Sequence, residues 1–410
     1  MRLPFACMFP FACLLATGSL SAAAADEPQW LKDARAREGK DLQESAVASQ
    51  DGFFSARVLG TPGGEVTFED GGYHFDIDIG SQTPATCEVI PDAFDPAALL
   101  QAAADLTFKN VEPLHGTIEQ KVVESTDAGA FGGSPFLAVN WLYRANDGQG
   151  AKLGALKQVA ILQGEHGIYC AHVDLGFVDS FLRSVRTLSE SIRFAREWQP
   201  LFSEVGVFTL AGARTGIAWT HMTRDEEGDT QLVTTTSFAI RLAADTLRTE
   251  DIVHVQWVRP DGTLITGIHV ASENGQLETE LRLARSDDEK WWVTGKFKGK
   301  SIEQALEGEG QPASWIEMAN QRRRAFARPD VAGVELVSSM WLTADPTRLL
   351  ESRTTLHAAI DAQNIPATEV VGGMKAEHVL DTATGFPVRS SLAVGSLAIQ
   401  IDRVHVKGSF

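Results

Sequence analysis

The sequence predicts an α+β protein of two domains, each a curved antiparallel sheet with packed helices. Its 410 residues are enough to form two hydrophobic cores. In the second half, apolar residues alternate with charged ones, as in 277–283, and this pattern is typical of a half-buried antiparallel strand. Two stretches of the first half carry helical signals, and these add helices to the sheets.

The first domain is predicted at 51–197, after a polar lead-in at 26–50. Asp95 and Pro96 predict a helix that runs through Leu106, because Asp is a good N-cap and Pro suits the first helical position. A second helix is predicted by apolar residues at helical spacing, which are Phe177, Phe181, Leu182, Val185, Leu188 and Ile192. Gly-rich turns separate the strands between these helices.

The second domain is predicted at 198–410 and consists mainly of hairpins. Turn sequences at 260–262 and 286–289 join pairs of strands. Ser301 and Gln304 have the spacing of a capping box, which predicts a short helix there. Further helices are predicted near 312–327 and 346–362.

The first 25 residues have the features of a signal peptide. Arg2 supplies a positive charge, an apolar run follows at 5–15, and small residues occupy 23–25 before a cleavage site. The alternative is an uncleaved anchor, although the apolar run is short for a spanning helix. We therefore expect a soluble, periplasmic or secreted protein rather than an integral membrane protein.

Two cysteines remain after the predicted cleavage, Cys87 and Cys170. In an oxidising compartment two cysteines most simply form one disulfide. Two free, buried thiols are the alternative.

The charge balance excludes one class of partner. The formal net charge is -18, whereas nucleic-acid binding requires a basic surface. The segment 295–301 resembles a phosphate-binding loop, but Thr294 occupies the position of its first glycine. No cofactor is predicted.

Two segments resemble known families of exported proteins. Residues 50–194, a β-rich body ending in the helix of 181–189, resemble PsbP-like α+β domains. The sequence of 381–389, Asp-Thr-Ala-Thr-Gly-Phe-Pro-Val-Arg, resembles the late hairpin of lipoprotein-carrier-like (LolA-like) periplasmic proteins. For residues 200–410, this second resemblance implies an unclosed barrel with helices in its mouth, an apolar cavity, and binding of a lipid or other hydrophobic ligand.

Two strand motifs contain residue types that can perform chemistry. Cys170, His172 and Asp174 share one strand face, but neighbours two apart lie roughly 6–7 Å apart, which is far for a thiol–imidazole hydrogen bond. His74 shares a face with two aspartates and could hold a metal, or could simply face solvent on an amphipathic strand. The structural interpretation is favoured for both, so no catalytic or metal residue is predicted.

Two groups of residues are candidates for binding. Tryptophans of the second domain could line a cavity or could simply belong to the hydrophobic core. The candidates for lining a cavity are Trp219, Trp257, Trp291 and Trp341. Arg322, Arg323 and Arg324 form a basic run on a predicted helix, and could bind an anion or a protein partner or be a solvated face.

The function expected from these observations is that of an exported binding or carrier protein of the bacterial envelope. Its partner would be a lipid-like or hydrophobic molecule, or another envelope protein. A periplasmic hydrolase, whose site is assembled from distant residues, is the alternative. A third class is an interaction protein that uses an exposed sheet edge.

Overall fold

The computed structural model describes residues 42–410, with the exception of 93, 309, 395 and 396. The predicted signal peptide at 1–25 lies outside the described residues, as does most of the lead-in at 26–50. The end of that lead-in forms a strand, Glu44–Ala48.

Strands dominate the described residues, and the prediction of an α+β fold is wrong because the protein is mostly β. The described part contains three helices, which are α1 (Pro96–His115), α2 (Val178–Ser191) and α3 (Trp315–Phe326). α1 continues past the predicted end at Leu106. None of these helices is both long and apolar enough to span a membrane. The strands pair throughout as antiparallel neighbours in three sheets.

A small sheet and an eight-stranded sheet form the first half of the described chain. The small sheet consists of β1 (Glu44–Ala48), β2 (Phe54–Leu59) and β11 (Arg193–Phe194). The eight-stranded sheet consists of β3 (Thr61–Pro62), β4 (Thr67–Glu69), β5 (Gly72–Asp78), β6 (Ala85–Ile90), β7 (Thr117–Phe131), β8 (Ser134–Asn146), β9 (Ala151–Gln163) and β10 (His166–Val173). Helix α2 packs here through buried Phe181, Val185 and Leu188, at the spacing that predicted the helix.

The predicted disulfide between Cys87 and Cys170 is present in the eight-stranded sheet. The two residues are direct partners in the ladder of β6 and β10, and their Sγ atoms lie 2.07 Å apart. Both side chains belong to the core that also contains Phe75, Val89 and Phe181. The bridge therefore ties two neighbouring strands within an apolar interior.

The second half of the chain forms one sheet of fourteen strands. These are β12 (Phe202–Leu210), β13 (Ala213–Arg224), β14 (Thr230–Ala243), β15 (Thr246–Val258), β16 (Leu264–Glu273), β17 (Gln276–Arg285), β18 (Trp291–Phe297), β19 (Lys300–Ala305), β20 (Glu335–Trp341), β21 (Leu349–Leu356), β22 (Asn364–Val371), β23 (Met374–Asp381), β24 (Pro387–Val394) and β25 (Leu397–Gly408). In the sheet, β12 pairs with β25, so that β19 and β20 stand at the two ends. Hairpins join the consecutive strands on either side of this pairing.

The large sheet curls around its own inner face. Side chains from strands on both sides of the β12–β25 pair line one common cavity. Its two ends come together where Glu307 bridges Arg348, and the Leu349 N–H donates to the Glu307 carbonyl at 2.8 Å. The result is a barrel-like sheet in which the chain just after β19 is joined to the start of β21, the neighbour of the terminal strand β20.

Two helix predictions in this half are wrong. The segment at Ser301 belongs to β19, because Lys298 and Gly299 both have positive φ, 49° and 74°, and make a two-residue hairpin turn with β18. The segment 346–362 contains β21, which pairs with β20 and β22. The helix predicted near 312–327 is α3.

The outer face of the large sheet packs against the first half of the protein. Val205, Val207, Ile217 and Trp219 share a core with α1 and the eight-stranded sheet. At the start of α1, the carboxylate of Asp251 accepts hydrogen bonds from the N–H groups of Ala97 and Ala98, at 3.1 and 2.8 Å. A strand of the large sheet thus supplies acceptors to the helix N-terminus, which is short of partners within its own turn.

Candidate functional site

The candidate site is a cavity of about 540 Å³ inside the curl of the large sheet. Its apolar wall comes from Phe208, Ala218, Phe238, Ile252, Ala271, Phe297, Trp315, Met318, Met340, Trp341, Leu342, Ala344, Phe386 and Ile401. Ligand sites of drug-sized molecules commonly enclose roughly 300–1,000 Å³, with apolar walls and a few placed polar groups. The volume and lining of this cavity fall within that description.

Helix α3 forms part of the cavity wall, and its first turn fixes it in place. The Ser314 hydroxyl accepts from the Glu317 N–H at 2.9 Å and donates to the Gly262 carbonyl at 2.7 Å. The Trp315 N–H donates to the Gln256 side chain at 2.9 Å. Positions 315, 318 and 322 share a helix face, so Trp315, Met318 and Arg322 all point into the cavity.

Two histidines and two tryptophans form one side of the cavity. His254 stacks on Trp315 with ring centroids 5.2 Å apart and an angle of 11° between the rings, and Trp341 lies 5.9 Å from His254. Burial lowers the pKa of His254 to about 4. Burial and the neighbouring His254 lower the pKa of His269 to about 3. Both imidazoles are therefore neutral at pH 7, and this side of the cavity carries no charge.

A buried ionic cluster lies where α3 meets β22 and β23. Glu369 Oε2 lies 3.1 Å from His378 Nε2 and 3.6 Å from Arg322 Nη2, and the Ser352 hydroxyl donates to Oε1 at 2.5 Å. Burial would raise the pKa of Glu369, but His378 and Arg322 outweigh it and lower the pKa to about 2. The carboxylate is thus ionised and neutralised within the wall.

A second ionic cluster is formed by β12, β23 and β25. Arg403 donates to Asp381 at 2.5 Å, and its other terminal nitrogen lies 3.6 Å from Glu204 Oε2. These last two atoms are buried without a hydrogen-bond partner among the described residues. Burial raises the pKa of Glu204 to about 7, against the opposing charge of Arg403. These two atoms therefore face each other as an ion pair beside the cavity, without a hydrogen bond between them.

The cavity opens where its charged lining is exposed. Glu278 and Lys298 line the cavity and are exposed to solvent, so they mark the opening. Nearby, Arg248 pairs with Glu273 at 2.8 Å. Glu250, which pairs in the ladder with Glu273, also lines the cavity. The opening is therefore rich in charge, whereas the wall beyond it is mainly apolar.

The structure brings one of the four selected tryptophans into the cavity, which is Trp341. Trp219 faces the first half of the protein and donates its indole N–H to Ser203 at 3.0 Å. Trp291 is buried in the core at one end of the sheet, and Trp257 alternates with the inward-facing Gln256. The tryptophan that sequence reasoning missed is Trp315.

The three predicted arginines do not form a single patch. Arg322 is buried in the cavity wall, whereas Arg323 and Arg324 are exposed. Arg323 lies over the ring of Phe410, 6.0 Å from its centroid. The spacing from Trp315 and Met318 could have indicated the inward position of Arg322.

The two strand motifs show no catalytic or metal geometry. Cys170 is bonded to Cys87, and His172 Nε2 lies 2.9 Å from the Ser81 hydroxyl. Over the described residues, no three or more His, Cys, Asp or Glu side chains are grouped so as to hold a metal ion. His74 lies 3.9 Å from Glu88 on the exposed strand face.

No family model and no curated protein matches the chain. One similar solved structure is described as a beta-barrel-like protein of domain of unknown function DUF1849, from Brucella abortus. It is 14% identical, with a TM-score of 0.37, and the match covers 51% of this chain and 97% of that one. The resemblances to PsbP-like and LolA-like proteins remain predictions.

Proposed function

We propose that this chain is an exported binding or carrier protein that holds a small amphipathic molecule in the cavity of the large sheet. The proposal rests on the apolar cavity of about 540 Å³, which has a few buried polar groups in its wall. The disulfide and the predicted signal peptide support an oxidising compartment outside the cytoplasm. A solvated charged opening and an apolar interior suit a ligand with a polar end and an apolar end.

A cavity-filling substitution tests this proposal. Ala271→Trp places an indole in the cavity, and we expect it to weaken binding of decan-1-ol, measured by calorimetry, at least tenfold. Native mass spectrometry of the unaltered protein purified from its own cells, followed by solvent extraction, should identify a bound amphiphile. Ala393→Trp, at an exposed position of β24, is the matched control and should bind decan-1-ol normally. Equal binding by both variants would place the ligand elsewhere, and absence of binding by the unaltered protein would refute the carrier function.

One observation favours a hydrolase as a second candidate. The Ser390 hydroxyl lies 2.8 Å from His378 Nδ1, and the other ring nitrogen faces Glu369 at 3.1 Å. In the tautomer with the proton on Nε2, Nδ1 can accept the Ser390 proton while Glu369 stabilises the imidazolium, as in a Ser-His-acid triad. The carrier function ranks first because the backbone around Ser390 pairs with both β23 and β25, so an oxyanion would have to be stabilised by side chains.

A fluorophosphonate probe separates the two candidates. If Ser390 is a nucleophile, its oxygen attacks phosphorus, fluoride leaves, and the proton passes to His378. Mass spectrometry should then find one adduct on Ser390, which is lost in Ser390→Ala and His378→Gln. Ser391→Ala, at the exposed serine that follows Ser390 on β24, is the control and should leave labelling intact. An unlabelled protein would eliminate the hydrolase and leave the carrier function unaffected.

A further inference from the structure

The buried cations of the cavity are already neutralised by acidic partners. Arg322 faces Glu369, and Arg403 binds Asp381 and faces Glu204. An anionic head group would have to displace one of these carboxylates or lie beside it. Since the cost of an unpaired buried charge is high, this wall disfavours a carboxylate or phosphate ligand.

A carboxylate near the opening, that of Glu250, has no partner among the described residues. Arg248 is held by Glu273 at 2.8 Å. Across the described residues, Glu250 makes neither a hydrogen bond nor an ion pair within 4 Å. It is half-buried, and its ladder partner Phe238 contributes an apolar ring to the same cavity.

The surroundings of Glu250 make it costly to ionise. Burial raises its pKa to about 7, Arg248 opposes this shift, and Glu273 and Asp251 add to it. Of these groups, Asp251 binds the start of α1 on the other face of the strand. Beyond β16, Glu278 on β17 and Lys298 in the turn after β18 also face the opening, where both are exposed and screened by water.

We infer that the ligand carries a cationic amine head group, which Glu250 binds, and an apolar chain that lies against Phe238 and Ile252. This inference rests on the proposed carrier function and names the class of its ligand. An ammonium group would supply the partner that Glu250 lacks, because a charge-assisted hydrogen bond to a carboxylate favours a cation over an anion. The apolar wall deeper in the cavity accepts the chain.

Three probes with the same decyl chain test the head group. Calorimetry at pH 8 with decylamine, decan-1-ol and decanoate compares a cation, a neutral group and an anion on one cavity. We expect decylamine to bind about tenfold more tightly than decan-1-ol, and decanoate to bind most weakly. Glu250→Gln should bring decylamine to the affinity of decan-1-ol. Glu335→Gln, at the exposed first residue of β20, is the control and should still bind decylamine more tightly than decan-1-ol.

The outcomes distinguish this inference from the proposed function. If decan-1-ol and decanoate bind at least as well as decylamine, the inference is wrong while the carrier function stands. If no probe binds, the carrier function itself is wrong. Should Glu250→Gln fail to fold, the unaltered protein still decides the matter. Its affinity for decylamine, but not for decan-1-ol, should rise between pH 6 and pH 8 as Glu250 ionises, and a flat profile would contradict the inference.

Discussion

Replacing Arg322 by Met should lower the free energy of unfolding by about 3–5 kcal/mol, because it leaves the buried carboxylate of Glu369 without its cation. The side chains of Arg322 and Glu369 are 8% and 1% exposed, so water cannot take the place of the guanidinium. Urea denaturation followed by circular dichroism measures the change. Arg324→Met is a matched control on the exposed face of the same helix, and we expect a change below about 0.5 kcal/mol.

The pH dependence of stability checks the same cluster. The pKa of Glu369 is about 2 in the folded protein, below the ordinary 4.5, so its stabilising contribution is present above pH 4.5 and is lost as the pH falls towards 2. Removing Arg322 should raise that pKa and reduce this acid-sensitive contribution. Equal destabilisation by Arg322→Met and Arg324→Met would contradict the assigned role of the buried pair.

The orientation of Arg322 could have been predicted from the sequence, whereas the polar lining of the strands could not. Trp315, Met318 and Arg322 recur at helical spacing, and this places the arginine on the apolar face of α3. On β12, by contrast, Val205 and Val207 pack against the first half of the protein, and Glu204 faces the cavity. Alternation separates two faces of a strand but does not tell which of them is inside a curled sheet.

The same ambiguity between the two faces of a strand explains why, of the four candidate tryptophans, Trp341 lines the cavity and the others do not. Trp219 and Trp341 both have the size and polarity of cavity-lining residues, yet the first lies between the two halves of the protein and the second inside the sheet. Long-range pairing of β12 with β25 decides this difference, and it joins segments far apart in the chain. Local turn chemistry was more informative, since the predicted hairpin at 260–262 joins β15 and β16.

The predicted α+β class is wrong because local helix signals in the second half are overridden by strand pairing. Ser301 and Gln304 match a capping box, but the left-handed conformation of Lys298 and Gly299 reverses the chain and pairs this segment with β18. A two-residue turn of this kind has the twist that suits neighbouring strands. Hairpin formation and pairing across the sheet therefore outweighed a short helix, which gains little stability by itself.

Removing the disulfide should cost about 4–5 kcal/mol of stability, the other large effect that we expect. Cys87 and Cys170 are separated by 83 residues, and closing a loop of that length restricts the unfolded chain strongly. In a Cys87→Ala/Cys170→Ala variant, the added conformational freedom of the unfolded state lowers the free energy of unfolding. Urea denaturation with and without reductant measures it, and reductant should affect only the unaltered protein.

This variant also separates stability from binding. The bridge lies in the eight-stranded sheet, whereas the cavity is lined entirely by residues from Glu204 onwards. In dilute buffer, where both proteins remain folded, the variant should therefore bind decan-1-ol with the affinity of the unaltered protein. Thiol labelling of the unaltered, denatured protein without reductant would show that the bridge is not formed. A parallel loss of binding in the folded variant would show that the cavity depends on the first half of the protein, through the packing of Trp219 and its neighbours.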